Sequence, residues 1–165
     1  MAQMIGIYLE NKVKDLFKDD NTIELTIKFG KLATLETIIG NYGGSNAIWY
    51  QKNASDQWRM CFNGGQRGVS TYVINSTSEI YKISYVFDKA NSLVKVYVNG
   101  EEEYSLTYDG FATYNYDWNN VYIGRNYSSD VIRPLKATIY AVRMYDKALT
   151  PEEIQQNYNL DNQKY

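Results

Sequence analysis

This chain of 165 residues contains no histidine, a single cysteine and two prolines. The lack of histidine removes the commonest general base of enzymes, together with every Ser-His or Cys-His nucleophile pair. The lone Cys61 excludes an intrachain disulfide and makes a zinc site built on thiolates implausible. Acid–base chemistry would therefore depend on carboxylates.

Long runs of one residue class are missing as well. The balance of 17 basic and 19 acidic residues gives a net charge of −2. No run of Lys or Arg is long enough to follow a phosphate backbone, so we do not expect a nucleic acid partner. No apolar stretch has the length of a signal peptide or a membrane span, so we expect a soluble chain with no membrane insertion and no signal peptide in the sequence as given.

Short runs rich in β-branched and aromatic residues recur along the chain, and turn dipeptides such as Asn99-Gly100 separate several of them. The predicted strands cover residues 22–29, 35–41, 47–52, 57–62, 69–74, 81–87, 93–98, 103–108, 121–124 and 138–145. Residues 4–8 could add an edge strand that pairs with the last one. Because strands are many and helices few, we predict an all-β, two-sheet antiparallel sandwich in a single domain over residues 1–165. Glu101-Glu102-Glu103 follows a turn dipeptide and is interpreted as a solvated charge run at a hairpin tip.

Alternation along the strands predicts which side chains face the core, because neighbours on a strand point to opposite faces of the sheet. One predicted inward set is Val94, Val96 and Val98. A second set, Ile83, Tyr85 and Phe87, is expected to line the facing sheet. Residues expected to turn away from the core are Lys82, Ser84, Lys95 and Tyr97. In the last strand, the spacing of Ile139, Val142 and Met144 skips one step of the period, which predicts a bulge near Tyr140-Ala141.

The segment after the last strand predicts a short helix over residues 150–158. Thr150 is typical of an N-cap and Pro151 of the first helical position, and the Glu153 carboxylate can accept a hydrogen bond from the Thr150 N–H. Leu149 and Ile154 stand where a hydrophobic staple would form. Residues 11–20 permit a helical turn, with a loop as the equal alternative.

The same C-terminal segment, IYAVRMYDKALTPEEIQQNY over residues 139–158, resembles the closing segment of laminin G-like domains in the concanavalin A-like lectin/glucanase superfamily. In that family an x-V-R-x-Y strand leads into A-L-[ST]-x-x-E-I. The hairpin ending in Tyr97-Val98-Asn99-Gly100 and the run Ile123-Gly124-Arg125 are similar to two further strands of the family. The resemblance implies a jelly roll. Residues 157–165 look like the tail that follows this domain in phage structural proteins and gut bacterial surface proteins, which implies a virion or an extracellular, cell-surface location.

The 17 tyrosines and three tryptophans exceed what one core requires, and several lie among Asn, Gly and Asp in predicted loops. Aromatic rings stack on the apolar faces of sugars while amides and guanidinium groups bond to hydroxyls, and protein-binding loops use the same mixture. We predict a ligand-binding site formed by Tyr42, Asn46, Trp49, Tyr114, Tyr116, Trp118, Arg125, Asn126 and Tyr127. The alternative is that Trp49 and Trp118 fill the core and the tyrosines cover sheet edges.

Calcium is the cofactor that the family resemblance implies, because laminin G-like domains often hold this ion near a loop rim. Calcium takes six to eight oxygen ligands, which aspartates and backbone carbonyls supply. The candidate ligands are Asp88, Asp109, Asp117 and Asp130. No D-x-D-x-D-G loop is present in the sequence, and solvated turn aspartates are the alternative interpretation.

Three functions are compatible with these observations. The first is a non-catalytic recognition module that binds a glycan or a cell-surface receptor, within an assembly of other virion or surface proteins. The second is a structural virion protein of a capsid or tail that forms a homo-oligomer and binds no glycan. The third and most remote is a glycoside hydrolase of the same fold.

Overall fold

The computed structural model describes residues 7–9, 19–40, 48–62, 65–107, 121–124 and 133–165. In this part of the chain the strands form two antiparallel sheets, one of six strands and one of five. The predicted all-β, two-sheet architecture with one short C-terminal helix is confirmed. No helix within the described ranges combines the length and the apolar character that crossing a membrane requires.

The six-stranded sheet contains the N-terminal strand at one edge. Its order is β1 (Ile7–Leu9), β10 (Val121–Ile123), β3 (Glu36–Gly40), β4 (Ile48–Lys52), β5 (Gln57–Phe62) and β6 (Gly65–Val73). The expected pairing of the N-terminal strand with the last strand is wrong, because Ile7 to Leu9 pair with Ile123 to Val121 of β10. The last strand lies in the other sheet, where its hydrogen-bonding neighbour is β2.

The five-stranded sheet has the order β11 (Ala137–Tyr145), β2 (Asn21–Phe29), β7 (Tyr81–Asp88), β8 (Leu93–Val98) and β9 (Glu101–Thr107). The bulge in β11 is confirmed, since its register against β2 shifts between Ile139 and Ala141. Glu101 to Glu103 are the first residues of β9, and therefore lie in a strand instead of at the hairpin tip. The turn itself is Asn99-Gly100, where both residues adopt left-handed φ values of 52° and 89°.

The core lies between the two sheets and is rich in aromatic rings. Tyr50 of β4 stacks on Tyr85 of β7, with ring centroids 4.0 Å apart and planes 16° apart. Trp58 of β5 meets the edge of the same Tyr85 ring and also contacts Phe29 of β2. These contacts bridge the two sheets with large apolar surfaces that burial stabilises.

The inward sets predicted by alternation are buried as expected: Ile83, Tyr85, Phe87, Val94, Val96 and Val98. Their assignment to facing sheets is wrong, because β7 and β8 are neighbours in one sheet and pair Tyr85 with Val96. Among the described residues, five tyrosines are buried: Tyr50, Tyr81, Tyr85, Tyr97 and Tyr122. Packing therefore accounts for part of the tyrosine content.

Helix α1 (Pro151–Asn162) begins where the sequence predicted and continues four residues past the predicted end at 158. Thr150 is the N-cap, and it exchanges reciprocal hydrogen bonds with Glu153 in a capping box. Leu149 and Ile154 are buried together with Val86 and Tyr97 in a second apolar cluster. The helix therefore packs on the outer face of the five-stranded sheet.

A buried polar network also fixes α1 to that face. The Asp161 carboxylate accepts a two-point hydrogen bond from Arg143 of β11 and a bond from Thr26 Oγ1 of β2 at 2.8 Å. Glu24 accepts bonds from Ser84, Asn157 and Tyr145, and burial raises the pKa of its carboxyl. α1 therefore covers part of the outer face of this sheet.

Candidate functional site

Three polar side chains form a row across the outer face of the six-stranded sheet. Gln51 of β4 lies opposite Thr37 of β3 and Arg59 of β5 in the strand register. Gln51 Nε2 donates to Thr37 Oγ1 at 3.0 Å, and Gln51 Oε1 accepts from Arg59 Nε at 2.9 Å and Nη2 at 2.5 Å. Thr37 and Gln51 are fully buried and Arg59 is half-buried. The two buried residues therefore hold the Arg59 guanidinium in one orientation.

Alternation explains why this row faces outward. Trp58 points into the core with 0% exposure, so its neighbour Arg59 lies on the opposite face of β5. Tyr50 is a core residue in the same way, which turns Gln51 outward on β4. The strands at 47–52 and 57–62 were predicted from the sequence, but Arg59 was not singled out. The sequence feature that indicates Arg59 is its position next to Trp58 in a predicted strand, because the neighbour of a core residue lies on the outer face of the sheet.

A guanidinium held this way has a defined chemistry. Arginine is permanently charged and presents N–H donors in a planar fork, which matches carboxylates and pairs of hydroxyl groups. Because Gln51 fixes the plane of the fork, little side-chain freedom remains to be lost when a ligand binds. The Arg59 guanidinium therefore has the chemistry that recognises an oxygen-rich or anionic group.

Most residues of the predicted ligand site lie outside the described residues, and the site stays a prediction. These residues are Tyr42, Asn46, Tyr114, Tyr116, Trp118, Arg125, Asn126 and Tyr127. Trp49 is described in its backbone, which pairs with Gly40 and Cys61. The described strand ends constrain where the two predicted aromatic loops attach. Gly40 precedes the first loop and Val121 follows the second, and Gly40 pairs with Tyr122, so both loops join the six-stranded sheet at the same end. Residues 125–127 leave the opposite end of β10.

Among the four candidate calcium ligands, Asp88 is described. Its carboxylate accepts hydrogen bonds from the Asn91 backbone N–H at 3.0 Å and from Asn91 Nδ2 at 2.8 Å, in the turn after β7. Both of its oxygens therefore bond within this turn, and a role of Asp88 as a calcium ligand stays a prediction. Asp109, Asp117 and Asp130 lie outside the described residues. Within the described ranges, no three acidic or cysteine side chains gather into a set that could hold a metal ion.

A separate cleft of about 680 Å³ lies between α1 and the β8–β9 hairpin. Its walls carry carboxylates and amides from Glu101, Glu102, Glu152, Gln155 and Asn159. The aromatic residue in its lining, Tyr97, is 2% exposed and donates its hydroxyl to Glu102. Since this ring offers no face to a ligand, the cleft is a weaker candidate for sugar binding than the polar row.

The family model described as the concanavalin A-like lectin/glucanases superfamily matches residues 6–155 of the chain. No curated protein matches it significantly. Among solved structures, the CBM40 module of the Ruminococcus gnavus IT-sialidase, bound to α2,3-sialyllactose, superposes with a TM-score of 0.77 at 14% identity. The match covers 96% of this chain and 94% of that chain.

Two longer proteins show the same fold over part of their length. A candidate carbohydrate-binding protein from Bacteroides ovatus has a TM-score of 0.71 at 22% identity, covering 84% of this chain and 40% of that chain. A Trypanosoma rangeli sialidase in complex with 2,3-difluorosialic acid has a TM-score of 0.70 at 17% identity, and the match covers 89% of this chain and 24% of that chain. This chain therefore spans less than half the length of either protein.

Proposed function

Because this chain belongs to the concanavalin A-like lectin/glucanases superfamily, we propose that it is a non-catalytic glycan-binding module. The observation that carries this proposal is the half-buried Arg59, which Gln51 and Thr37 orient on the outer face of the six-stranded sheet. The neighbouring CBM40 module supports a sugar as the ligand class, since it is bound to sialyllactose. A fold match alone is a weak argument for a ligand, so the proposal depends on the site.

The proposed site combines this row with the aromatic residues predicted from the sequence. Trp49 belongs to β4, two positions before Gln51, and the loops with Tyr42 and Trp118 attach at the sheet end next to it. Arg59 would bond to a carboxylate or to adjacent hydroxyls, and the aromatic rings would stack on the sugar. A charge-assisted contact of this kind favours an acidic sugar over its neutral counterpart.

The absence of catalysis is part of the proposal. Among the described residues, the buried carboxylates of Glu24, Asp56 and Asp161 bond to structural neighbours and do not form an acid pair across a cleft. The size comparison agrees, because the match extends over 94% of the CBM40 module but 24% of the T. rangeli sialidase. A virion or cell-surface setting stays a prediction from the C-terminal resemblance.

The test is a glycan-array screen of the wild-type chain with calcium and with chelator, followed by titration of the best sugar against three variants. Arg59→Ala should lose about 10-fold or more in affinity, because a hydrogen bond to a charged group contributes roughly 1.5–3 kcal/mol. Arg59→Lys keeps the charge but loses the planar fork, so its affinity should lie between those of the wild type and Arg59→Ala. Lys95→Ala removes a cation from the other sheet and should bind like the wild type.

Three results would contradict the proposal. Equal affinity in Arg59→Ala and the wild type, with native circular dichroism in both, would show that the row does not bind the ligand. Release of free sugar from a bound glycan would identify a hydrolase. Absence of binding to every glycan, together with a stable closed oligomer in solution, would favour the structural virion role.

A further inference from the structure

Two exposed tyrosines meet beside the C-terminal end of α1. The rings of Tyr140 and Tyr165 lie with their centroids 5.4 Å apart and their planes 50° apart. The Tyr165 hydroxyl donates to the Tyr140 carbonyl oxygen at 3.4 Å. Tyr140 is 39% exposed and Tyr165 is 38% exposed. Each tyrosine therefore contacts the other and still leaves more than a third of its surface open to solvent.

A β-bulge places Tyr140 at this point. The register of β11 against β2 shifts between Ile139 and Ala141, so Tyr140 is the residue of β11 that has no partner in β2. Bulges re-aim a side chain and are frequent next to functional sites. The residues after α1 reach the same point, because the Tyr165 N–H donates to the carbonyl oxygen of Asp161, whose carboxylate is bonded to β2 and β11. The tyrosine pair therefore lies where α1 leaves the outer face of the sheet uncovered.

Two lysines border the tyrosine pair. Lys164 Nζ lies 5.1 Å from the centroid of the Tyr165 ring, which is a cation–π distance. Lys28 of β2 is the cross-strand partner of Thr138, which lies two residues before Tyr140 on β11. Both neighbours of Lys28 on β2 are core residues, so Lys28 lies on the outer face of the sheet. The two rings and the two cations are therefore grouped on one strand pair.

This surface is locally positive. The tyrosine patch comprises Tyr140, Tyr165, Lys28 and Lys164. Neither lysine forms an ion pair within the described part of the chain. The Asp161 carboxylate at the end of α1 is bonded to Arg143, and residues 28–31 and 136–140 contain no acidic side chain. The patch therefore attracts anions although the whole chain has a net charge of −2.

We propose that the tyrosine patch is a second carbohydrate-binding site, and that its ligand is a sugar chain that bears carboxylates. Tyrosine rings stack on the apolar faces of sugars, and ammonium groups form charge-assisted hydrogen bonds with carboxylates. A nucleic acid is bound along a basic groove that follows many phosphates, and two lysines on one strand pair form no such groove. The patch lies on the other sheet from Arg59, so the inference does not depend on the proposed Arg59 site.

The experiment compares binding of the purified chain to three polymers by affinity electrophoresis. Dextran offers sugar rings without charge, polyglutamate offers carboxylates without sugar, and carboxymethyl dextran offers both. The gels are run at low ionic strength, where surface charges are least screened. The wild type should bind carboxymethyl dextran at least about threefold more tightly than either other polymer, because stacking and charge contribute together.

Five variants locate the site on the protein. Tyr165→Ala should weaken binding of carboxymethyl dextran about twofold to tenfold, whereas Tyr140→Phe keeps its ring and should bind like the wild type. Lys164→Gln should weaken binding about twofold to fivefold. Lys147→Gln makes the same change in net charge before the start of α1 and should bind like the wild type. Arg59→Ala should also bind like the wild type, which separates the patch from the proposed Arg59 site.

Each contrary result overturns the inference. Wild-type affinity in both Tyr165→Ala and Lys164→Gln, with native circular dichroism, would show that the patch binds no polymer. An equal loss in Lys147→Gln and Lys164→Gln would show a general effect of charge. Loss in Arg59→Ala alone would place the ligand on the six-stranded sheet, and would support the proposed function while it overturns this inference.

The polymers themselves give two further contrary results. Polyglutamate bound as tightly as carboxymethyl dextran would show that the tyrosines contact no sugar. Dextran bound as tightly as carboxymethyl dextran would show that the lysines recognise no carboxylate. Both readings are independent of any variant, so they hold even where a substitution disturbs the fold.

Discussion

At the residue scale, charged groups buried on the outer face of the five-stranded sheet decide how firmly α1 is held. Asp161 lies at the C-terminal end of the helix and is 4% exposed, yet its two oxygens bond to Arg143 and Thr26. The hydrogen bond from Arg143, more than any other contact, lowers the pKa of the Asp161 carboxyl below its ordinary value of 3.8. The ionised form is therefore the one that stabilises the fold.

Asp161→Asn should lower the free energy of unfolding by about 2–3 kcal/mol at neutral pH, because it weakens a two-point bond to a charged partner. Because the pKa of this carboxyl is lower in the folded than in the unfolded protein, its ionised form stabilises the fold. This contribution is fully present above the unfolded pKa of 3.8 and is lost as pH falls through the folded pKa. The difference between wild type and variant should therefore shrink in acid. Urea denaturation at neutral pH and at about pH 2.5 measures both predictions.

The exposed Asp146→Asn change is the matched control for this pair of measurements. It should leave both unfolding curves within about 0.5 kcal/mol of the wild type. A constant difference between wild type and Asp161→Asn at both pH values would show that the carboxylate charge plays no part.

At the element scale, the β8–β9 hairpin forms one edge of the five-stranded sheet and lies next to α1. Its two-residue turn requires left-handed backbone at Asn99 and Gly100, which matches the right-handed twist of the strands. The Asn99 side chain accepts the Lys82 backbone N–H at 3.0 Å, so the turn is tied to β7 as well. A side chain at Gly100 would meet Gln155 of α1, with Cβ 2.6 Å from its Oε1.

Gly100→Ala should destabilise the protein by about 1–2 kcal/mol, the usual cost of left-handed backbone in a residue with a Cβ. The contact with Gln155 adds little, because the atom it meets is the end of a flexible side chain. Urea unfolding of Gly100→Ala and of Gly100→Ala/Gln155→Ala separates the two causes. Full recovery of stability in the double variant would show that the contact, and not the backbone, is responsible.

Most strands and the helix could be predicted from the sequence, but the neighbour of each strand in its sheet could not. Local signals predicted the capping box of α1 and the bulge at Tyr140-Ala141, because both depend on residues close together in the chain. The partner of the N-terminal strand depends on which sheet it joins, and nothing within residues 4–8 encodes that choice. The Thr37-Gln51-Arg59 row was missed for the same reason, since it exists only when three strands stand in register.

At the scale of the whole molecule, the fold is three-layered where α1 covers the five-stranded sheet. Val86 and Tyr97 point away from the core and are 3% and 2% exposed because Leu149 and Ile154 pack on them. Glu24 and Ser84 are buried beside them. Without the helix, this face would present apolar surface and a solvated carboxylate.

A chain ended after Lys147 should therefore lose at least about 3 kcal/mol of unfolding free energy, since full burial of one large apolar side chain contributes roughly 1.5–3 kcal/mol. It should also bind the dye ANS through the exposed Val86 and Tyr97 surface. Urea unfolding and ANS fluorescence measure the two effects. A chain ended after Gln163 is the control and should behave like the wild type. An unchanged free energy of unfolding in the shorter chain would show that α1 does not stabilise the fold.

The position of β2 between β7 and β11 affects the order in which the five-stranded sheet forms during synthesis. β2 is synthesised well before β11, and Tyr145 of β11 is the partner of Thr22, so one edge of β2 stays unpaired until β11 has been synthesised. Such late, non-local pairing slows folding and leaves an open strand edge that other chains can join. The five-stranded sheet is thus completed only after β11 has been synthesised, and the growing chain is most exposed to aggregation before that point.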